Sequence, residues 1–426
     1  MRLLLSALLL TAATPAFAGG FYLQEQSPLA VGRAFAGEAA IADSAATIFY
    51  NPAGMTNLPG TQVEAGAQFL LIDSHQRDLG STRSVPGSAT RFPTGGGNGG
   101  NPFDQPVFIP SGYISHHVAN SPIWLGLGIS APFGLKVVYD DGWFGRYDSL
   151  RSDLKTYNFQ PSVAVKFGNI SVGGGVDIQS MTATLTAALP NVSPLLPDGN
   201  INIHGKDLAF GWNLGVQGEF GPLRLGAHYR SHIDHDLSGL VKITGLVGPL
   251  AGANSTRFGF APISVPDIYS VGGVYSFGKA RLLAGGEFTK WSRFNAITVE
   301  NQGTVFLSSA QNYRDTWTGN VGVEYDLSPR LTLRAGSLYD QTPTRDGFRT
   351  TRVPDGNRVW ATAGATAHVT QAIAVNLSYA HIWVDREPIN RTDPLFAGTP
   401  AVTTVNTLSE NTGHANELAA SVSLKF

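Results

Sequence analysis

The fold class predicted is all-β: a fourteen-stranded antiparallel transmembrane β-barrel with its N-terminal segment held inside the lumen as a hatch. Three observations predict it. The 426 residues include 50 Gly and only 14% charged residues, a balance foreign to ordinary helical soluble proteins. Period-2 alternation of apolar and polar residues recurs from residue 61 to the end, and sustained helical periodicity is found nowhere. The connections between these segments are short and long in strict alternation. An outer-membrane barrel requires that pattern, whereas a β-sandwich has no reason to keep it.

The first element, residues 1–18, reads as a signal peptide. Arg2 precedes a largely apolar stretch from Leu3 to Ala13, and Ala16-Phe17-Ala18 supplies the small-residue cleavage site. Beyond it no stretch has the 18 or more consecutive apolar residues of a membrane helix. A closed barrel is the other structure that satisfies every backbone group in lipid. The absence of Cys fits a bacterial envelope protein and removes thiol chemistry and Cys-ligated zinc. A formal net charge of −2 provides no basic field for nucleic acid.

Residues 19–60 are rich in Ala and Gly and lack a strand period. A short helix is expected around Ala34 to Ala42, before a turn at Asn51-Pro52. A barrel of this size needs a plug if it is not to leak, and this segment is assigned as that hatch.

Residues 61–426 form the barrel. Fourteen segments begin near residues 61, 107, 123, 155, 170, 206, 223, 267, 280, 312, 331, 357, 372 and 415. The clearest places Val63, Ala65, Ala67, Phe69 and Leu71 on one face and Gln62, Glu64, Gly66 and Gln68 on the other. Short turns such as Gly168-Asn169 and Gly221-Pro222 would face the periplasm. Long connections, at about 73–106, 131–154, 188–205, 240–266, 301–311, 342–356 and 386–414, would face outward. Trp124, Tyr157, Tyr229, Trp291, Trp317, Tyr325, Trp360, Tyr379 and Trp383 lie near segment ends, where interfacial girdles belong. The chain ends on Leu418, Ala420, Val422, Leu424 and Phe426, an alternating strand with a terminal aromatic that resembles the recognition signal of outer-membrane barrels.

The motifs Gly20-Phe21-Tyr22-Leu23, Gly32-Arg33-Ala34-Phe35-Ala36-Gly37, Ala42-Asp43 and Phe49-Tyr50-Asn51-Pro52-Ala53-Gly54 resemble the hatch of the FadL family of outer-membrane transporters of hydrophobic compounds. Ala131-Pro132-Phe133-Gly134, Gly142-Trp143-Phe144-Gly145-Arg146-Tyr147, Trp291-Ser292-Arg293-Phe294 and Pro354-Asp355-Gly356-Asn357-Arg358 extend the resemblance over the whole chain. It implies capture of a substrate by outer loops, an apolar pocket, and sideways release through a gap beside a kinked third strand. Carried over from the family, Asn51, Pro52 and Ala53 sit between hatch and pocket, and Phe21 and Leu23 couple ligand binding to opening. Gly126, Gly128 and Pro132 are the candidate kink residues of the third segment, because glycine weakens a ladder and proline interrupts it.

A carboxylate ligand would need a cation, and an arginine fork meets a carboxylate bidentately. The candidates are Arg146, Arg230, Arg349, Arg352 and Arg358; each could equally pair with wall acids. Gly95, Gly97 and Gly100 match a phosphate-loop spacing without its strand and helix. His232, Asp234, His235 and Asp236 read as a loop edge, and His116-His117 point to opposite strand faces, so no metal is expected. No G-x-S-x-G elbow is present.

The function expected is passive uptake of hydrophobic small molecules, long-chain fatty acids first, by a non-enzymatic outer-membrane protein without a cofactor. Aromatic or aliphatic hydrocarbon uptake is the alternative; an outer-membrane lipid hydrolase and a general porin are the other classes. The expected partners are the hydrophobic ligand, outer-membrane lipid and lipopolysaccharide, and the barrel assembly machinery engaged through Phe426. A monomer is expected.

Overall fold

In the computed structural model, the described residues are 19–88 and 90–426; the predicted signal peptide at 1–18 lies outside them. Fourteen strands form one closed antiparallel barrel: β1 (Thr61–Asp78), β2 (Val107–His117), β3 (Ile123–Ser130, resuming at Gly134–Val138), β4 (Arg151–Phe167), β5 (Ile170–Leu189), β6 (Gly199–Phe220), β7 (Leu223–Arg230 and Ile233–Thr244), β8 (Ser255–Val265 and Ile268–Phe277), β9 (Ala280–Thr289 and Ala296–Asn301), β10 (Thr304–Ala310 and Thr316–Ser328), β11 (Leu331–Asp340), β12 (Arg358–His368), β13 (Ile373–Leu395) and β14 (Thr403–Lys425). Each pairs with its neighbours in order, and β1 pairs with both β2 and β14, which closes the barrel.

The wall is apolar outside and polar inside. On β1 the exposed face carries Phe69 at 43% and Leu71 at 45%, while Gln62, Glu64 and Gln68 are buried. A water-soluble sandwich would bury the first set and expose the second; lipid explains the inversion. Trp212, Tyr229, Tyr269, Phe288 and Trp317 stack across five successive strands with ring centroids 4.7 to 6.1 Å apart, one arc of an interfacial girdle. Trp124, Trp291 and Trp360 are corrections: all three point inward and are buried. Strand ends carry aromatics on both faces, so position along the sequence alone did not separate them.

Much of the chain expected as long outer connections is strand. Segments 199–205, 240–244, 255–265 and 386–395 with 403–414 continue as hairpins past the membrane band. Their sequences, such as Thr403-Thr404-Val405-Asn406-Thr407, have no lipid to face, so the apolar alternation fades while backbone pairing persists.

Residues 19–58 fill the lumen and are almost all buried. The hatch holds α1 (Pro28–Gly32), α2 (Glu38–Ile41), α3 (Thr47–Tyr50) and a 3₁₀ turn at Pro52–Asn57. α1 contacts β12 and β13, α2 contacts β7 and β8, and the 3₁₀ turn contacts β4, β5 and β6. The helix expected at Ala34 to Ala42 is only the four residues of α2. Ala34 and Phe35 adopt φ of 53° and 60°, and Ala42 adopts 49°; these left-handed residues break the helix on both sides.

Candidate functional site

The β2–β3 ladder runs from His117↔Trp124 to Gly112↔Ile129 and stops. When β3 resumes at Gly134–Val138 it pairs with β4 only, so Val107–Ser111 of β2 face no β3 partner. The backbone groups at the interruption are taken by the N-terminal hatch segment instead. Leu23 N–H donates to Pro132 O and Gly134 N–H donates to Phe21 O, both at 2.8 Å. Tyr22 and Phe133 form an isolated antiparallel bridge, and the Gln26 side chain both donates to Ala131 O and accepts from Ala131 N–H at 3.0 Å. Buried backbone groups need partners. Residues 21–26 therefore stand in for β2 where the β2–β3 ladder is interrupted.

Behind this seal lies an aromatic cage. The Phe21 ring sits 4.7 Å from Trp291, 5.1 Å from Phe294 and 6.0 Å from Phe133, and Tyr313 closes the far side at 4.9 Å from Phe294. Phe21 occupies an apolar space that another apolar group could take. The preceding residues are hydrogen-bonded to wall acids, Gly19 N–H to Asp340 at 3.1 Å and Gly20 N–H to Asp355 at 3.2 Å.

The rest of the hatch is fixed far more firmly. Arg33 binds Glu38 and Asp43 at 2.7 Å and Glu324 of β10 at 2.8 Å, and Arg334 and Arg281 complete the network on Glu324 at 2.8 Å. Wall glycines seat its backbone. A Cβ on Gly226 would fall 1.8 Å from Ala39 O, and one on Gly215 would fall 1.9 Å from Asn51 Oδ1. Two hatch carboxyls are raised by burial: Glu38 to about 7, against the pull of Arg33, and Glu25 to about 8, against the pull of Arg358.

At the end of the short turns a cavity of about 460 Å³ is lined by Asp43, Arg224, Arg281, Glu324, Arg334 and Lys425 among others. It is a charged vestibule, unsuited to an alkyl chain. An inverted-polarity closed barrel, a filled lumen and a sealed interruption of the β2–β3 ladder now stand together, and a family model described as outer membrane protein transport protein (OMPP1/FadL/TodX) matches residues 9–426. The chain belongs to this family of outer-membrane transporters of hydrophobic compounds.

Among its relatives, outer membrane protein P1 of Haemophilus influenzae is 28% identical over 461 residues, covering 99% of this chain and 98% of that protein. The long-chain fatty acid transport protein of Escherichia coli O6:H1 is 26% identical over 408 residues, covering 86% and 88%. The crystal structure of a Pseudomonas aeruginosa FadL homologue superposes with a TM-score of 0.84 at 22% identity, covering 96% of this chain and all of that one. These likenesses agree with the barrel fold and its outer-membrane location.

Within this FadL-like barrel, Phe21, Leu23 and Pro132 meet at the interruption. Asn51, Pro52 and Ala53 lie elsewhere, at the hatch–wall joint: the Asn51 side chain accepts from Ala53 N–H at 3.1 Å and donates to Ala39 O at 2.6 Å and Val216 O at 3.1 Å. Gly126 and Gly128 correct the expected kink. The ladder is regular through both, and the break falls at Ala131–Phe133. A Cβ on Gly126 would lie 2.4 Å from Met55 Sδ, and one on Gly128 would lie 3.2 Å from Ile48 Cγ2, so these glycines make room for the hatch.

Four of the five arginines are paired. Arg146 binds Asp198 at 2.7 Å, Arg230 binds Asp177, Arg349 binds Asp346 at 2.9 Å and Glu387 at 3.2 Å, and Arg358 binds Asp355, with Asp340 at 3.4 Å. Arg352 differs: it is buried, and among the described residues no carboxylate lies within 4 Å of it. His235 is an interior residue contacting Asp207 and Gln179 at 3.1 Å, and His232 lies 3.1 Å from Asp267. Among the described residues no group of three or more His, Cys, Asp or Glu is placed to hold a metal. The sequence assigned no cage to Phe133, Trp291, Phe294 and Tyr313, although the first three fall in family-like motifs and Trp291 was expected in the girdle.

Proposed function

We propose that this protein takes up hydrophobic small molecules passively, long-chain fatty acids foremost, and releases them sideways into the outer membrane at the β3 interruption when residues 19–23 withdraw. The observation that carries this reading is the substitution of residues 21–26 for β2 in the barrel ladder. A gap sealed by a separate segment can open without breaking the barrel. The relatives named long-chain fatty acid transport proteins support the ligand class.

Physical chemistry favours the lateral route. Burial is worth ~0.8 kcal/mol per CH₂, so a sixteen-carbon chain entering water faces on the order of 12 kcal/mol. The charged vestibule at the short-turn end presents that cost, whereas the β3 interruption opens toward lipid. The anchored part of the hatch need not move.

Locking the seal tests the reading. Tyr22 and Phe133 are an antiparallel bridge pair, whose Cα atoms lie about 4.5 to 5.5 Å apart, within disulfide range. The chain has no Cys of its own. A Tyr22→Cys, Phe133→Cys double variant is expected to take up oleate when reduced and to lose most of that uptake when oxidised. Undiminished uptake by the fully oxidised form would remove lateral release.

A further inference from the structure

Arg352 is only 5% exposed, and a buried guanidinium without a directly paired anion carries a desolvation cost that pairing normally offsets. Its protein partners are neutral and all on one nitrogen. Nη1 donates to Ser152 Oγ at 3.1 Å, Arg151 O at 3.4 Å and Thr186 O at 3.5 Å. Asp148 supplies a counter-charge to Arg352 without an ion pair, its Oδ2 accepting from both Thr351 N–H and Thr351 Oγ1 at 2.6 Å, and Asp393 binds Arg391 at 2.6 Å.

Its place in the barrel gives that charge a direction. Residues 341–357 run inward from β11 and β12 to meet β3 and β4 across the lumen: Tyr139 Oη donates to Thr351 O at 2.8 Å, and Arg352 meets Ser152. Ser152 is registered with Val137 of β3, and Leu154 with Leu135. Val137, Leu154, Leu135 and Phe133 are all buried and lie on the lumen face, a continuous apolar stripe leading from Arg352 to the interruption. From Val137 to Phe133 is four residues, about 13 Å at the rise of a strand. A cation stands at one end of an apolar track, and the gap and the Phe21 cage stand at the other.

We propose that Arg352 is the head-group site for a long-chain monocarboxylate, held carboxylate outward with its chain on Val137, Leu154, Leu135 and Phe133, so that the ligand leaves through the interruption tail first. This inference rests on the lateral-release reading and adds to it the ligand's charge and orientation.

Calorimetric titration of the purified barrel with oleate, methyl oleate and toluene tests it. Arg352→Ala is expected to weaken oleate roughly tenfold to a hundredfold, the span of one charge-assisted hydrogen bond, and to leave methyl oleate within about twofold. Arg352→Lys is expected to recover part of the loss, since lysine keeps the charge without the fork. Equal oleate affinity in wild type and Arg352→Ala overturns the assignment while lateral release stands. So does wild-type binding of toluene without oleate. Binding of none of the three overturns both.

Orientation is read on the wild type, without a change at Arg352. A fatty acid brominated near its methyl end should quench the fluorescence that Trp291→Phe removes, and one brominated beside the carboxylate should not. The reverse pattern overturns tail-first exit.

Discussion

At the residue scale, the hatch divides into groups that fasten it and groups that leave it loose. Asn51 and Arg33 are fasteners, each spanning hatch and wall through several bonds. Glu25 is the opposite case. It is fully buried, and no donor reaches either of its oxygens with hydrogen-bond geometry. Burial lifts its carboxyl from 4.5 to about 8, with its own backbone N–H and then Arg358 opposing and Asp340 adding to the rise. The seated segment therefore holds a proton that the unseated segment releases between those two values. Seating is most stable below about pH 4.5 and loses this contribution as pH rises through about 8, with a total effect on the order of a few kcal/mol. Hydrogen exchange of residues 21–27, corrected for the intrinsic rate, should accelerate from pH 5 to pH 8.5 in the wild type and change much less in Glu25→Gln. A flat wild-type profile would contradict it. The motif residues Phe21, Leu23 and Asn51 were visible in the sequence because their neighbours form recognisable strings. The isolation of Arg352 was not, because it depends on which acids the fold assigns to Arg146, Arg230, Arg349 and Arg358.

At the element scale, the strands were legible and their interruptions were not. Period-2 alternation located all fourteen strands, since lipid on one side and a polar lumen on the other enforce it. The same rule is silent where a strand leaves the membrane, which is why β13 and β14 run far beyond their predicted extents. Glycine carried a second meaning. Gly126 and Gly128 looked like weak points in β3, yet the ladder crosses them intact, and their missing side chains accommodate Met55 and Ile48. Gly215 and Gly226 serve the hatch in the same way. Gly226→Val would drive a side chain into the Ala39 carbonyl, overpacking that costs ~1 to 3 kcal/mol or more. The expected outcome is a folded barrel with an unseated hatch, seen as ion conductance in a planar bilayer above that of the wild type. Conductance equal to the wild type would show that the seat tolerates the side chain. The short helices were the least legible elements, because the left-handed residues Ala34, Phe35 and Ala42 are not glycine and give no sequence signal.

At the scale of the whole molecule, three features point the same way. The β2–β3 ladder is interrupted and sealed by a separate segment, the hatch is ion-paired at the vestibule end and held by hydrogen bonds and aromatic packing at the interruption, and the vestibule is charged. An apolar ligand entering from the loops meets an aromatic cage beside the interruption and a polar lumen beyond it. Lateral release is the exit with the smallest apolar area exposed to water. The most direct test is to find where the ligand's tail goes. A fatty acid carrying a photoreactive diazirine at its methyl end, bound to the barrel in outer-membrane-like vesicles and irradiated, should crosslink to Ala131, Pro132, Phe133 and the facing residues of β2. Crosslinks concentrated on the vestibule, at Arg224, Arg281, Arg334 or Lys425, would mean that the ligand passes through the lumen into water, contrary to this account.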